Sequence, residues 1–229
     1  MSTDRCRKSS RGWSPRCSTS ATASTPTTHS HMGAPTPGSA RHRKECKPMA
    51  SDWIELFNGV DLTGWAPRTA DREPRPHNWS VQDGLLRTAG HGLDLLTEDE
   101  FGDFDLHIEY NLLADSNSGI YLRGRYEIQM LDSYGKTYDR PSENGALYLV
   151  KKPDVEVSKP AGEWQTLEVT LVGLSLTASL NGHTIHDNVQ IEGPTGSNWL
   201  AKDNASPAPH FLQGDHSAAL FRNIRIRNL

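Results

Sequence analysis

The stretch FDLHIEYNLL, residues 104–113, alternates apolar and polar side chains along its whole length. A two-residue period is typical of a β-strand with one face in a core and the other outside it. The apolar face would carry Phe104, Leu106, Ile108, Tyr110 and Leu112, and the polar face Asp105, His107, Glu109 and Asn111. This stretch therefore predicts a β-protein with a packed interior.

The next stretch, NSGIYLRGRYEIQMLDSYG at residues 117–135, repeats the pattern with an interruption at Gly124 and Arg125. We expect an inward-facing set made of Ile108, Tyr110, Ile120, Leu122, Ile128 and Met130. We expect an outward-facing set on the same sheet made of Glu109, Arg123, Glu127 and Gln129. Such a polar face is either ordinary wet surface or the lining of a groove that binds a polar ligand.

Strand and turn signals continue along the chain without a sustained helical period. WSVQDGLLRTA (79–89) predicts a hairpin around Asp83-Gly84, a dipeptide suited to a tight primed turn. Further strands are predicted at 53–57, 146–150, 163–173, 174–182, 183–189 and 217–229. About a dozen short strands in one run favour an all-β fold, an antiparallel β-sandwich or jelly roll.

Composition divides the chain near residue 50. Residues 1–50 contain no Leu, Ile, Val, Phe or Tyr and hold 16 Ser or Thr, with nine Lys or Arg against two acidic residues. A segment so poor in apolar side chains cannot offset the entropy lost on ordering. We predict a disordered N-terminal extension over 1–50, with Met49 as an alternative start, and one folded domain over 52–229.

The same composition bears on partners and location. All three cysteines (Cys6, Cys17 and Cys46) lie in the extension, so the predicted domain has no disulfide and no thiolate metal site. The domain carries 15 basic and 26 acidic residues, which gives no electrostatic reason to bind nucleic acid. No apolar run is long enough to span a membrane or act as a secretory signal, so we expect a cytoplasmic protein.

Six blocks of sequence resemble successive blocks of one family: WIELFNGVDLTGW, NWSVQDGLLRTAGHG, NSGIYLRGRYEIQMLDSYG, GEWQTLEVTLVG, LNGHTIHD and FLQGDHSAALFRNIRIRNL. The family is the 3-keto-disaccharide hydrolase domain, also described as a 3-keto-glucoside lyase and hydratase domain. The resemblance runs in order from about residue 52 to 229. It implies a concanavalin-like jelly roll, bacterial carbohydrate metabolism and a sugar substrate previously oxidised at its 3-hydroxyl. Its members are often exported, and the GDHS at 214–217 departs from the Asp-His-Gly run common in the family.

A 3-keto sugar permits cleavage by elimination, because the ketone acidifies the hydrogen on the adjacent ring carbon. The sequence offers His216, Glu127 or Asp132 as the base and Arg123 as a partner for the enolate oxygen. Candidate sugar-binding residues are Gln129, Gln213, Glu109 and Tyr121. Alternatively, Arg123 and Glu127 form no more than a cross-strand surface ion pair.

Two further questions stay open at this stage. The same sandwich could be a non-catalytic, lectin-like carbohydrate-binding module or, less simply, a protein-interaction domain. Asp94, Asp99, Asp103 and Asp105 offer oxygens for a calcium ion, but their spacing matches no defined calcium loop, so we expect no cofactor.

Overall fold

The computed structural model describes residues 52–69, 76–137, 139–200 and 206–229, and the predicted extension lies outside them. These residues form thirteen β-strands and no helix, so none of them belongs to a helix that could cross a membrane. The strands are β1 (Ile54–Glu55), β2 (Trp65–Pro67), β3 (Trp79–Gln82), β4 (Leu85–Thr88), β5 (Leu95–Thr97), β6 (Phe104–Leu112), β7 (Asn117–Leu122), β8 (Tyr126–Leu131), β9 (Trp164–Val172), β10 (Ser175–Leu180), β11 (His183–Gln190), β12 (Phe211–Leu212) and β13 (Ala219–Asn228).

The strands form two antiparallel sheets. The larger has eight strands in the order β11-β10-β9-β6-β13-β4-β3, with β1 paired to β13 outside that path. The smaller has five strands in the order β2-β5-β12-β7-β8. The predicted all-β antiparallel sandwich is confirmed.

The core lies between the two sheets and is built by the alternation seen in the sequence. All six side chains predicted to face inward are buried in one apolar cluster: Ile108, Tyr110, Ile120, Leu122, Ile128 and Met130. Truncating one of the large aliphatic members to alanine typically costs about 2–5 kcal/mol of stability. The register of β6, β7 and β8 is therefore strongly specified, since a shift by one residue would turn each apolar set outward.

Two tight turns are set by residues with positive φ. Asp83 (φ 55°) and Gly84 (φ 75°) connect β3 to β4, as the hairpin signature predicts. Arg123 (φ 48°) and Gly124 (φ 61°) connect β7 to β8 in the same way. The second turn ends the strand alternation at Leu122, one residue earlier than the sequence pattern indicates.

The predicted strand at 146–150 is wrong. Leu147 makes isolated bridges to Ile128 and Lys151, and Leu149 has a φ of 59°, so the backbone there turns rather than extends. This segment nevertheless lies along the outer edge of β8. Its Tyr148 N–H donates to the Glu127 carbonyl (3.0 Å).

A second irregular segment completes the cover of that edge. The Thr195 N–H donates to the Arg125 carbonyl (2.9 Å), and the Glu127 N–H donates to the Thr195 side-chain oxygen (2.7 Å). Ala146 accepts from the Gln129 N–H at 2.9 Å. Two loops, one around Tyr148 and one around Thr195, therefore satisfy the backbone groups that β8 would otherwise present to solvent.

Candidate functional site

The polar side chains of the smaller sheet gather on its outer face. Tyr121 pairs with Glu127 across β7 and β8, and Gly119 pairs with Gln129. Gln213 follows β12, where its N–H donates to the Gly119 carbonyl (2.9 Å). Because side chains alternate along each strand, these residues share the face opposite the core.

Loops close this face into a concave site of about 200 Å³, which we call the polar pocket. Its walls come from four parts of the chain. The lining residues are Asn117, Tyr121, Glu127, Gln129, Tyr148, Ser197, Asn198, Gln213, Asp215 and His216. Such a pocket has room for one small polar ring and supplies mainly groups that form hydrogen bonds.

Glu127 is the buried carboxyl group of the pocket, only 2% exposed. The Tyr121 hydroxyl donates to its Oε2 atom at 2.6 Å. Burial raises the pKa of Glu127 to about 7, while the Tyr121 hydrogen bond and the nearby His216 partly oppose that rise. A carboxyl group with such a pKa exchanges a proton near neutral pH, as a general acid or base must.

The space beside Glu127 depends on Gly119. A Cβ atom on Gly119 would lie 2.5 Å from Glu127 Oε1, well inside van der Waals contact. Tyr121 engages Oε2, so the two carboxylate oxygens have different surroundings. The absent side chain at 119 gives Oε1 the room that it occupies beside β7.

Tyr121 is held by stacking on Phe211, with ring centroids 4.1 Å apart and planes inclined by 11°. The Arg68 guanidinium lies over the Phe211 ring, 5.0 Å from its centroid. Burial, followed by the charge of Glu127, raises the pKa of Tyr121 well above its ordinary value. The phenol therefore remains protonated and keeps donating to Glu127.

His216 and Asp215 form the second titratable pair of the pocket. Asp215 Oδ1 lies 2.5 Å from His216 Nδ1. Both side chains are about half exposed, Asp215 at 48% and His216 at 45%. A carboxylate on Nδ1 fixes the ring and directs Nε2 away from it, the arrangement that orients a histidine for proton transfer.

Two amide oxygens in the pocket have unused hydrogen-bonding capacity. Gln213 Oε1 and Asn117 Oδ1 are buried and have no hydrogen-bond partner among the described residues. Gln129, which also lines the pocket, instead accepts the Met130 N–H at Oε1 (3.1 Å), so its NH₂ group is the part of the amide left to contact a ligand. A buried acceptor without a partner costs about 1–3 kcal/mol, and a ligand that brings hydroxyl donors would recover that cost.

A charged cluster joins the pocket to the segment that covers it. The Arg68 guanidinium contacts Asp94 Oδ2 (3.1 Å) and donates to Asn198 Oδ1 (2.6 Å). Asp94 also accepts from the Asn198 NH₂ group (3.1 Å) and the Gly214 N–H (3.0 Å). The cluster fixes Asn198 and the backbone before Asp215 relative to each other.

Comparison with known proteins is consistent with this architecture. The model of the 3-keto-α-glucoside-1,2-lyase-like domain matches residues 52–227. The chain belongs to this family. The predicted resemblance is thereby confirmed for most of the chain.

Individual members of the family share only modest sequence identity with this chain. A Bacteroides thetaiotaomicron protein named 3-keto-disaccharide hydrolase is 25% identical over 156 residues, which are 52% of this chain and 52% of that protein. The chain thus matches about half the length of that relative. A Parabacteroides distasonis protein solved as a candidate glycosyl hydrolase is 28% identical, with a TM-score of 0.67 over 78% of this chain and 84% of that one. A second structure from the same organism, 20% identical with a TM-score of 0.64, supports the fold alone.

Five of the eight predicted site residues line the polar pocket. They are Tyr121, Glu127, Gln129, Gln213 and His216. The remaining three predicted residues lie elsewhere. Their positions have separate physical reasons.

Arg123 was expected beside Glu127, and that placement is wrong. Arg123 has a positive φ in the turn between β7 and β8, and it is only 2% exposed. The guanidinium donates to the Gly173 carbonyl (2.6 Å) and approaches Asp103 at 3.6 Å. Its backbone N–H donates to His210 Nδ1 (2.8 Å), so the whole residue is part of a buried structural contact.

Glu109 was expected on the same sheet as Glu127, and this is also wrong. It lies on β6 in the larger sheet, where β13 is its neighbour. Its carboxylate accepts from Arg222 Nε (2.8 Å) and Asn223 Nδ2 (2.7 Å). Arg222 in turn lies over the Trp164 ring at 3.9 Å, so Glu109 belongs to a polar ladder on the outer face of that sheet.

Asp132 follows β8 and does not line the polar pocket. Its Oδ2 atom accepts the Asp115 N–H at 2.9 Å and lies 3.7 Å from Lys136 Nζ. This carboxylate fastens the turn after β6 to the end of β8. It is not placed to act on a ligand beside Glu127.

Several pocket residues escaped the sequence reasoning. Tyr148 was assigned to a strand, and Asn117, Ser197 and Asn198 lie at a strand end or in a long irregular loop. Their polarity is unremarkable for loops, so the sequence carries no periodic signal that singles them out. The loop length at 190–209 was the one available hint.

No group of three or more His, Cys, Asp or Glu side chains suited to a metal ion occurs among the described residues. Three of the aspartates considered for calcium have other partners. Asp94 binds Arg68, Asp103 accepts the Gly173 N–H (2.7 Å), and Asp105 accepts from Thr170 (2.6 Å).

Proposed function

We propose that this domain cleaves the glycosidic bond of 3-keto-glycosides by elimination followed by addition of water. The observation that carries the proposal is the buried Glu127 in a small polar pocket, with a pKa of about 7 and a fixed phenol donor. The named relative, a 3-keto-disaccharide hydrolase, supports the same substrate class.

In the first step, Glu127 acts as the base. Its carboxylate removes the hydrogen from carbon 2, and the electron pair of that bond forms an enolate with the adjacent 3-ketone. A carboxylate whose pKa is raised by burial is a stronger base than an exposed one and is still ionised in a large fraction of molecules at neutral pH. The glycine at position 119 permits the Glu127 carboxylate to take this position in the pocket.

In the second step, the enolate collapses and expels the group at carbon 1. The bond from carbon 1 to the glycosidic oxygen breaks, a double bond forms between carbons 1 and 2, and the leaving oxygen takes a proton. His216 supplies this proton, since Asp215 orients it at the open rim of the pocket. The oxygen of a water molecule then bonds to carbon 1 and its proton returns to His216, while carbon 2 regains a proton from Glu127, so both side chains are restored and the net reaction is hydrolysis.

The enolate oxygen has neutral hydrogen-bond donors rather than a guanidinium as partners. Arg123 is engaged elsewhere, and the pocket offers the NH₂ group of Gln129 and the hydroxyl of Tyr148. Preorganised neutral donors in a site shielded from water still stabilise developing charge substantially. The Gln213 and Asn117 oxygens would accept the sugar hydroxyls.

The test compares matched 3-keto-glucosides and ordinary glucosides in heavy water. We expect release of the alcohol only from the 3-keto substrate, with deuterium at carbon 2 of the product. Glu127→Gln should lower turnover by about 10²–10⁴, the range for loss of an acid–base group. Glu168→Gln, a carboxylate on the outer face of the larger sheet, is the matched control and should keep turnover.

Equal rates on both substrates would refute elimination, because hydrolysis by a pair of carboxyl groups needs no ketone. Tight binding of both sugars with turnover of neither would instead identify a lectin-like module.

A further inference from the structure

A larger cavity adjoins the polar pocket. It measures about 1020 Å³ and runs along the β2–β5 side of the smaller sheet. The two cavities share Asn198 and Asp215 in their walls, so they lie side by side. We call this larger cavity the groove.

The groove and the polar pocket differ in size and chemistry. The pocket has room for about one ring, whereas the groove lies at the upper end of the volumes that hold drug-sized ligands. Part of the groove wall is aliphatic and is formed by Ala66, Pro67, Leu96, Ala208 and Pro209. No aromatic side chain, the usual platform for a sugar ring, lines it among the described residues.

The groove wall also carries acidic side chains. Asp94, Glu98, Glu100 and Asp215 face a single cation, Arg68, within the described lining. Arg68 is already neutralised by Asp94 at 3.1 Å. Glu98 and Glu100 are exposed at the rim of the groove. Because Arg68 is paired with Asp94, the charges of these two carboxylates are free to repel an anion.

We propose that the groove binds the leaving group of the substrate, and that it selects a neutral or cationic aglycone with an apolar face over an anionic one. This inference rests on the proposed function and deepens it. His216, beside the shared Asp215, stands at the junction of the two cavities, where the glycosidic oxygen would lie. The aliphatic wall supplies the attraction, and the acidic rim supplies the discrimination.

The experiment uses three 3-keto-glucosides whose leaving groups are primary alcohols: methanol, benzyl alcohol and 4-carboxybenzyl alcohol. For the full chain we expect kcat/KM for the benzyl compound to exceed that for the methyl compound by about 10–100-fold, from burial of the ring. We expect the carboxybenzyl compound to fall about 3–10-fold below the benzyl compound at low salt. That deficit should shrink in 0.5 M salt, since the rim charges are exposed.

Variants are compared by substrate ratios measured within each protein, so a general loss of activity cancels. Ala66→Trp fills the groove and should reduce the benzyl-to-methyl ratio toward one. The double variant Glu98→Gln and Glu100→Gln should bring the carboxybenzyl-to-benzyl ratio toward one. The matched control, Glu163→Gln with Glu168→Gln, removes the same charge outside the groove lining and should leave both ratios as they are.

The outcomes separate the two proposals. If the methyl compound is cleaved but the benzyl compound is no better and Ala66→Trp changes nothing, the groove is not the leaving-group site and the proposed function stands. If the carboxybenzyl compound is the best substrate, the electrostatic selection is wrong. If none of the three compounds is cleaved, the proposed function fails and this inference fails with it.

Discussion

Replacing Glu127 by glutamine should make the protein more stable at alkaline pH while it removes activity. The pKa of Glu127 is about 7 in the folded state, whereas the pKa of an unfolded glutamate is 4.5. Between these values the folded protein binds more protons than the unfolded chain, so stability falls as pH rises through that window. Glutamine has nearly the same shape and does not titrate.

The magnitude follows from the difference in pKa. About 2.5 pKa units at 1.36 kcal/mol per unit correspond to about 3 kcal/mol once both states are ionised. The stability of Glu127→Gln relative to the natural protein should therefore rise by about 3 kcal/mol between pH 4.5 and pH 8.5. Urea unfolding at a series of pH values measures this difference directly.

Glu109→Gln provides a control of opposite sign. Hydrogen bonds from Asn223 and Arg222, together with the Arg222 charge, outweigh burial and lower the pKa of Glu109 below its ordinary value. The stability it contributes is present above the unfolded pKa and disappears as pH falls through the folded pKa. This variant should be less stable than the natural protein at pH 8.5, with a deficit that shrinks in acid. A Glu127→Gln difference that stays constant with pH would refute the assignment of Glu127 as a desolvated carboxyl group.

Three further perturbations test individual contacts. Tyr121→Phe removes the hydrogen bond that lowers the pKa of Glu127, so the ascending limb of kcat/KM against pH should move to higher pH; an unmoved limb would contradict the role given to this phenol. Gly119→Ala places a Cβ atom 2.5 Å from Oε1 of Glu127 and displaces that carboxylate, so we expect kcat to fall about 10–100-fold with the circular dichroism spectrum retained. Arg123→Met should cost about 1–3 kcal/mol in urea unfolding, because it leaves the Gly173 carbonyl without its donor, yet the folded fraction should keep its kcat; a selective loss of kcat would restore Arg123 to the site.

The sequence was sufficient for the sandwich because strand alternation is a local property. Ile128 and Glu127 are neighbours in the chain, and the period of two alone sends one inward and the other outward. The same rule placed Tyr121 and Gln129 on the Glu127 face. It could say nothing about Gln213, which was predicted from the capacity of its amide to bind sugar hydroxyls.

The wrong predictions concern residues whose position does not follow from strand alternation. One lies in a turn, and another is placed by the pairing of strands that are distant in sequence. Arg123 has the parity of Tyr121 but lies in a turn with positive φ, and no alternation survives such a turn. Glu109 has the correct parity on the wrong sheet, since β6 pairs with β9 and β13 rather than with β7. Tyr148 and Asn198 are placed by contacts over long sequence distances, which a single sequence does not encode in any periodic form.

The cover on the outer edge of β8 has a consequence for how this fold can change. The loops that bring Tyr148 and Ser197 to the pocket are the same loops that occupy the N–H and C=O groups of the sheet edge. Loop exchange, the usual route to a new substrate, would here uncover a strand able to pair with another molecule. Variation in specificity is therefore less hazardous on the groove side, at residues such as Glu98 and Glu100, than at the loops that form the walls of the polar pocket.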